Sequence, residues 1–143
     1  MAKRVAEKES EAGVKAEVKA PPRGVLVRVC ALAWLVPGLG HFLLKRKGRG
    51  GILFAAIVGM FLLGIGMQGE FFRVASGSYL RTLGFFGQMC VGLPLPVTRF
   101  FGYSGGNPYF VSSDYGTAFL VAAGMLNVLC VLDAYDIAMG RKP

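Results

Sequence analysis

Four polar residues in otherwise apolar stretches are the positions at which this sequence could carry out chemistry: His41, Asn127, Asp133 and Asp136. His41 is the single histidine of the chain. The two aspartates are three residues apart, which places their carboxylates within about 60° of each other on a helix. Paired carboxylates near a membrane are typical of proton or cation paths. A lone imidazole can donate a hydrogen bond or bind a pigment, a haem or a lipid headgroup.

Each of these residues also has a structural interpretation. A histidine without histidine partners makes a poor haem or metal site, so we expect His41 to donate to a carbonyl freed by the nearby proline, such as that of Ala33 or Val36. We expect the two aspartates to pair with basic residues on the same side of the membrane. Asn127 lies about 120° around the helix from Asp133, and we expect it to bond across to another helix.

Enzymatic motifs are absent from the sequence. There is no nucleophile elbow, P-loop, zinc-protease signature or dinucleotide fingerprint, and the serines between 76 and 113 have no histidine in their region. The three cysteines, Cys30, Cys90 and Cys130, lack the close spacing of a metal or redox motif. We therefore expect no enzymatic activity, no cofactor, no metal site and no disulfide framework.

Long apolar stretches determine the predicted fold class. Hydrophobic residues make up 54% of the 143 residues and charged residues 17%, whereas soluble domains carry about 25% charged residues. Residues 51–68 contain no charge and would span about 27 Å as a helix. With apolar helices at about 24–36, 51–68 and 116–139, the sequence predicts an all-α membrane protein with about three transmembrane helices in one domain, 24–143.

The first apolar segment is interrupted. Pro37, Gly38, Gly40 and His41 form a predicted hinge, because proline removes a backbone donor and glycine permits a sharp turn. If Gly40 adopts a positive φ, valine at this position should be strongly disfavoured. We expect a short interfacial piece at 41–46 after the break. The first helix is expected to cross the membrane.

Two other regions complete the chain. Residues 1–23 are largely polar and read as a disordered tail. Residues 69–115 hold 11 of the 17 aromatic residues, which predicts an ordered aromatic cap at the membrane interface between the second and third transmembrane helices. Within it, a short helix is expected at 78–91 with Ser78 as its cap.

Basic residues indicate the sidedness. Four of the five residues from 45 to 49 are basic: Lys45, Arg46, Lys47 and Arg49. We call these four the basic turn, and we expect it and the C-terminus to face the cytoplasm. The net charge of +8 does not predict nucleic-acid binding, because many of the basic residues flank apolar segments, as membrane anchors do.

Two motifs resemble known families. Residues 33–42 read A-W-L-V-P-G-L-G-H-F and are followed shortly by the basic turn, which resembles a hairpin of small bacterial membrane proteins and is distantly similar to the two-transmembrane-helix domain family. Residues 132–138 read L-D-A-Y-D-I-A. The P-G-L-G-H hairpin and this helix together resemble a bacterial family of unknown function. That resemblance implies a multi-pass inner-membrane protein and carries over no catalytic residue.

Two hypotheses for function follow. The first is a structural or assembly subunit of the bacterial cytoplasmic membrane, whose partners are the lipid bilayer and other membrane proteins or a second copy of itself. The alternative is a small oligomeric carrier or channel-like protein that uses Asn127, Asp133 and Asp136. A transport role predicts polar residues along one face of several helices, and residues 51–67 have none, which favours the first hypothesis.

Overall fold

The structure is a computed structural model that describes residues 22–73, 78–103, 105–107 and 109–141. Apart from its last two residues, the predicted tail at 1–23 lies outside this range. The described part contains six α-helices and no strand, which confirms the all-helical class. They are α1 Arg23–Leu35, α2 Leu39–Leu43, α3 Lys47–Gly66, α4 Tyr79–Met89, α5 Pro94–Phe100 and α6 Ser113–Ala138.

Two of the described helices, α3 and α6, are long and apolar enough to cross a membrane. They lie antiparallel. At one end the hydroxyl of Ser113 donates to the Gln68 carbonyl at 2.9 Å, and at the other the guanidinium of Arg49 lies 3.8 Å from the carboxylate of Asp133. We call these the serine end and the arginine end. Between them, buried Ile57, Phe61, Leu120 and Ala123 contribute to the core, and burial of such side chains stabilises the pair.

The first segment forms a hairpin that turns back at the proline. Helix α1 has 13 residues, or about 20 Å, which is short of the roughly 30 Å of a bilayer core. After the break, α2 returns beside α1 to the arginine end, where α3 begins. The fold therefore does not confirm the expected crossing of the first helix. The short piece lies at 39–43 instead of 41–46, because Gly38 already supplies the reversal with a φ of +78°.

Gly40 lies inside α2 and does not have the positive φ that was considered for it. Its constraint comes from packing. A Cβ added to Gly40 would lie 2.7 Å from the Cβ of Ala33 and 3.1 Å from that of Ala134. Gly40 thus lets α1, α2 and α6 approach one another at a single point.

A second hairpin enters from the opposite end. Helix α4 runs along α6 toward its middle, where an added Cβ on Gly124 would overlap the Gly87 carbonyl. Helix α5 leads back to the serine end, where the hydroxyl of Tyr103 donates to the Gly69 carbonyl at 3.1 Å. Burial raises the pKa of this hydroxyl, which keeps it protonated as a donor. The region 69–115 therefore contains two helices, of which α4 packs against α6.

The two hairpins meet at their tips. The backbone N–H of Leu93, just after α4, donates to the carbonyl of Leu35, the last residue of α1, at 2.9 Å. Gly92 has a φ of +85° and lies against the Trp34 carbonyl so closely that no Cβ fits. The side chain of Asn127 bonds to both tips, at the carbonyls of Trp34 and Cys90. Asn127 lies 14 residues beyond Ser113 in a helix of 26 residues, so the tips meet at the middle of α6.

The helix ends follow local signals. Helix α6 ends in a Schellman motif: Gly140 has a φ of +68°, its N–H donates to the Ile137 carbonyl, and the N–H of Arg141 donates to the Asp136 carbonyl at 3.0 Å. Ser78 occupies the N-cap position of α4, but its side chain makes no capping hydrogen bond. Helix α3 begins at Lys47, four residues earlier than 51, because the glycines that follow tolerate the helix and Gly50 packs against Gly38.

Gly40→Val should destabilise the protein, and Gly51→Val should not. The valine at 40 would overlap α1 and α6, and such overpacking costs about 1–3 kcal/mol. Gly51 is also helical but has no atom within 4 Å of an added Cβ, so valine there should be neutral or slightly stabilising. Thermal unfolding in detergent measures both variants. Equal melting temperatures would contradict the packing role of Gly40.

Candidate functional site

His41 lies at the centre of a buried polar cluster. Helix α2 points its fully buried imidazole at α6, where Nε2 lies 3.0 Å from Oδ2 of Asp133 and Nδ1 lies 3.7 Å from Sγ of Cys130. One assignment of hydrogens satisfies all three groups: Nε2–H donates to the carboxylate, and the thiol of Cys130 donates to Nδ1. We call His41, Cys130 and Asp133 the imidazole cluster.

Asp133 connects this cluster to the surface. Its side chain is 25% exposed, and Arg49 of the basic turn lies 3.8 Å from it. Asp136, one turn further along, lies 3.8 Å from Arg141. The remaining members of the basic turn, Lys45, Arg46 and Lys47, are exposed. Each of the two carboxylates thus lies beside a guanidinium at the arginine end, Asp133 beside Arg49 and Asp136 beside Arg141.

Asn127 forms a separate buried site. Its side-chain amide donates to the carbonyls of Trp34 at 3.0 Å, Cys90 at 2.9 Å and Val91 at 3.3 Å. Three carbonyls around one nitrogen require the NH₂ group at that position, since only it can donate. The first carbonyl belongs to the last turn of α1 and the others follow α4. Asn127 thus bonds across to other elements, as its position in an apolar helix predicted.

This amide satisfies groups that helix ends leave without partners. The last four carbonyls of any helix lack intrahelical donors, and an unpaired one in an apolar interior costs about 1–3 kcal/mol. One side chain supplies donors to the ends of both α1 and α4. Its own Oδ1 is buried without a hydrogen-bond partner among the residues that the structure describes.

The expected donor to the freed carbonyls was His41, and this is wrong. Asn127 and the N–H of Leu93 supply the bonds to the end of α1, while His41 bonds to side chains of α6. The reason is geometric, because α2 folds back beside α1 and turns its imidazole away from the end of that helix. The hinge residue Pro37 is itself fully buried.

The imidazole cluster has the order of a nucleophile, a base and an orienting acid. The thiol is only 1% exposed, however, and a nucleophilic cysteine needs an accessible and electropositive surrounding. In this conformation a substrate has no route to Sγ. The arrangement can hold a proton between three groups and can anchor α2 to α6, and the second role uses every contact that the cluster makes.

A family comparison covers both sites. Residues 28–143 match the family of unknown function DUF6677. The chain belongs to DUF6677. This match confirms the expected membership of a family of unknown function. The chain matches no curated protein and no solved structure. The matched region of this DUF6677 chain contains the hinge, the imidazole cluster and Asn127.

Sequence reasoning missed two residues that the tertiary structure brings into use. Cys130 was considered only for its spacing from the other cysteines, although it lies three residues before Asp133 and hence on a similar helix face. Gln88 was not considered. It is 1% exposed, its amide donates to the Glu70 carbonyl at 2.8 Å and its Oε1 accepts from the Phe72 N–H at 2.9 Å. A single amide in the apolar stretch of α4 was the signal available for it.

Proposed function

We propose that this DUF6677 chain is an integral protein of the bacterial cytoplasmic membrane that acts as a structural or assembly subunit and not as an enzyme. The observation that carries the proposal is the distribution of polar and apolar groups. The polar side chains of the apolar helices bond within the chain, whereas large apolar side chains face outward. Its partners are then lipid and the transmembrane surfaces of other proteins or of a second copy.

The outward apolar side chains support a membrane setting. Only 22% of the most apolar stretch of α3 and 33% of that of α6 are buried inside the protein. A core helix of a soluble protein is mostly buried. Ile52 is 73% exposed, Leu62 60% and Leu129 61%. Apolar surface on this scale is unfavourable in water and normal in lipid. Lys47, where α3 begins, is also far from the N-terminal position of a signal sequence.

Two re-entrant hairpins account for the lengths of the remaining helices. With α3 and α6 across the bilayer, α1 and α2 enter from the arginine end to about half depth, and α4 and α5 enter from the serine end. Backbone at that depth must be bonded within the protein, which the amide of Asn127 does for the two hairpin tips. This topology has two full crossings instead of the three that the sequence predicted.

The sidedness follows from charge. The described part of the arginine end carries seven basic residues and two acidic ones, while the serine end carries three basic and two acidic. Those at the arginine end are Arg23, Arg28, Lys45, Arg46, Lys47, Arg49 and Arg141, against Asp133 and Asp136. Positive residues favour the cytoplasmic side. The basic turn, the start of α1 and the end of α6 are therefore assigned to the cytoplasm.

Cysteine labelling in intact cells tests this topology. In a Cys30→Ala, Cys90→Ala background, Ser10→Cys and Gly48→Cys should resist an impermeant maleimide until the cells are opened, whereas Asn107→Cys should react at once. The buried Cys130 is retained and serves as the unlabelled control. If the maleimide labels Ser10→Cys in intact cells but does not label Gly48→Cys, α1 crosses the membrane. Equal reaction at 48 and 107 would overturn the assignment.

The alternative of a carrier or channel receives less support. Asp133 and Asn127 are engaged in separate contacts inside the chain, and no line of polar groups joins them in the described helices. A subunit role predicts that replacing Asp133 acts on stability, whereas a transport role predicts an effect on ion flux. The alternative remains a prediction that this difference can test.

A further inference from the structure

An apolar groove lies beside the hinge. It has a volume of about 240 Å³ and is lined by Val36, Pro37, Leu39, Phe42 and Phe54. We call it the hinge groove. Its lining comes from the break after α1, from α2 and from α3. Sites for small polar molecules usually measure about 300–1,000 Å³ and include converging polar groups. The hinge groove is smaller and its lining side chains are all apolar.

The basic turn lies next to this groove along α3. Phe54 is seven residues beyond Lys47, or about 10 Å along the helix. Phe42 is three residues before Lys45. A molecule that placed an apolar chain in the groove would therefore have its polar end at the level of the basic turn.

The charge at that level selects the polar end. Lys45, Arg46 and Lys47 are exposed, and the arginine end carries the excess of positive charge described above. A basic cluster beside a membrane attracts anionic lipid at about 1 kcal/mol for each lysine or arginine. Arg49 lies beside Asp133 and contributes less to this excess.

From these observations we propose that the hinge groove and the basic turn together form a site for one anionic phospholipid. An acyl chain fills the groove against Pro37, and the phosphate lies among Lys45, Arg46 and Lys47. This inference rests on the proposed membrane location and adds a preferred headgroup charge and a fixed position. The lipid would fill the space left by the turn of the chain and so stabilise the hairpin in its re-entrant form.

A fluorescence experiment tests the site directly. Trp34 is the only tryptophan, so Trp34→Phe with Phe54→Trp places a single reporter in the groove. The variant is reconstituted in phosphatidylcholine vesicles with a small fraction of phosphatidylglycerol, and bromine is attached to the acyl chains of one lipid or the other. Brominated phosphatidylglycerol should quench more strongly than brominated phosphatidylcholine at equal mole fraction. Each basic side chain should contribute about fivefold to the preference.

Two controls make the result specific. Replacing Lys45, Arg46 and Lys47 by glutamine should abolish the preference, whereas replacing Arg81 and Arg99 at the serine end should leave it unchanged. A reporter at Leu83, which is 70% exposed on α4, should be quenched equally by both lipids. Native mass spectrometry of the unmodified protein provides a second measurement and should detect one retained phosphatidylglycerol.

The outcomes separate this site from the proposed membrane location. Equal quenching of the groove reporter by both lipids would overturn the lipid site and leave the membrane location intact. Absence of quenching by either lipid, at 54 and at 83, would overturn both. Absence of quenching at 54 alone, with a dimer by light scattering, would assign the groove to a second copy of the chain and overturn the lipid site.

Discussion

Gly92→Ala is expected to prevent stable folding or to cost about 4 kcal/mol or more. The left-handed φ of +85° is unfavourable for alanine by about 1–2 kcal/mol. The larger part is steric, because the new Cβ would overlap the Trp34 carbonyl oxygen and lie 2.9 Å from that of Leu35. The two hairpin tips would have to separate. That would break the bonds from Asn127 and Leu93 to the end of α1, and each buried carbonyl left unpaired costs about 1–3 kcal/mol.

Gly102→Ala is the matched control for this variant. Gly102 has nearly the same φ, +84°, but no atom lies within 4 Å of an added Cβ. Alanine there should cost about 1–2 kcal/mol, the conformational term alone. Denaturant unfolding in detergent measures both variants. Similar losses at the two positions would mean that the contact between hairpin tips contributes little, and the two-hairpin arrangement would lose its main support.

The second large effect is expected at Asp133. Asp133→Leu leaves the Nε2–H of the fully buried His41 without an acceptor. A buried donor left without an acceptor typically costs about 1–3 kcal/mol, and the upper end applies where the lost acceptor was charged. His41→Leu should be milder, because Asp133 remains partly exposed to water and close to Arg49. Asp136→Leu should cost about 1 kcal/mol or less, since Asp136 and Arg141 are both at the surface.

A double-mutant cycle gives this prediction a sharper form. Asp133→Leu and His41→Leu together should cost less than the sum of the single changes, because both partners are then gone. Additive losses would show that the two side chains act independently. Flux in proteoliposomes provides the contrasting readout: Asp133→Asn with unchanged stability and a lost proton or cation flux would favour the carrier hypothesis over the structural one.

The architecture explains why a small chain needs these particular contacts. Each of the two hairpins has a tip whose backbone groups lie in an apolar interior, where an unpaired group is costly. Because the two tips lie together, the Leu93 N–H can donate to the end of α1. The Asn127 amide can donate to carbonyls of both tips. Glycine at 92 and at 124 permits the required closeness. The imidazole cluster then holds the return helix α2 in place from the other side.

Local features of the chain were predictable because they depend on neighbouring residues. The apolar runs at 51–68 and 116–139 predicted two long helices within four residues of their observed bounds. Pro37 predicted the break in the first segment. Asn127 was expected to bond across to another element because an amide in an apolar helix needs a partner.

Only the tertiary structure decided how these segments meet. His41 contacts Cys130 and Asp133, which lie 89 and 92 residues further along the chain. Asn127 bonds to Trp34, which lies 93 residues before it. No local pattern encodes such pairings. The direction of the chain after Pro37 depends on what α2 packs against, and the residues near the break do not encode that contact. Where a helix breaks, its last carbonyls need hydrogen-bond donors from elsewhere. The packing of distant segments determines which donors reach them.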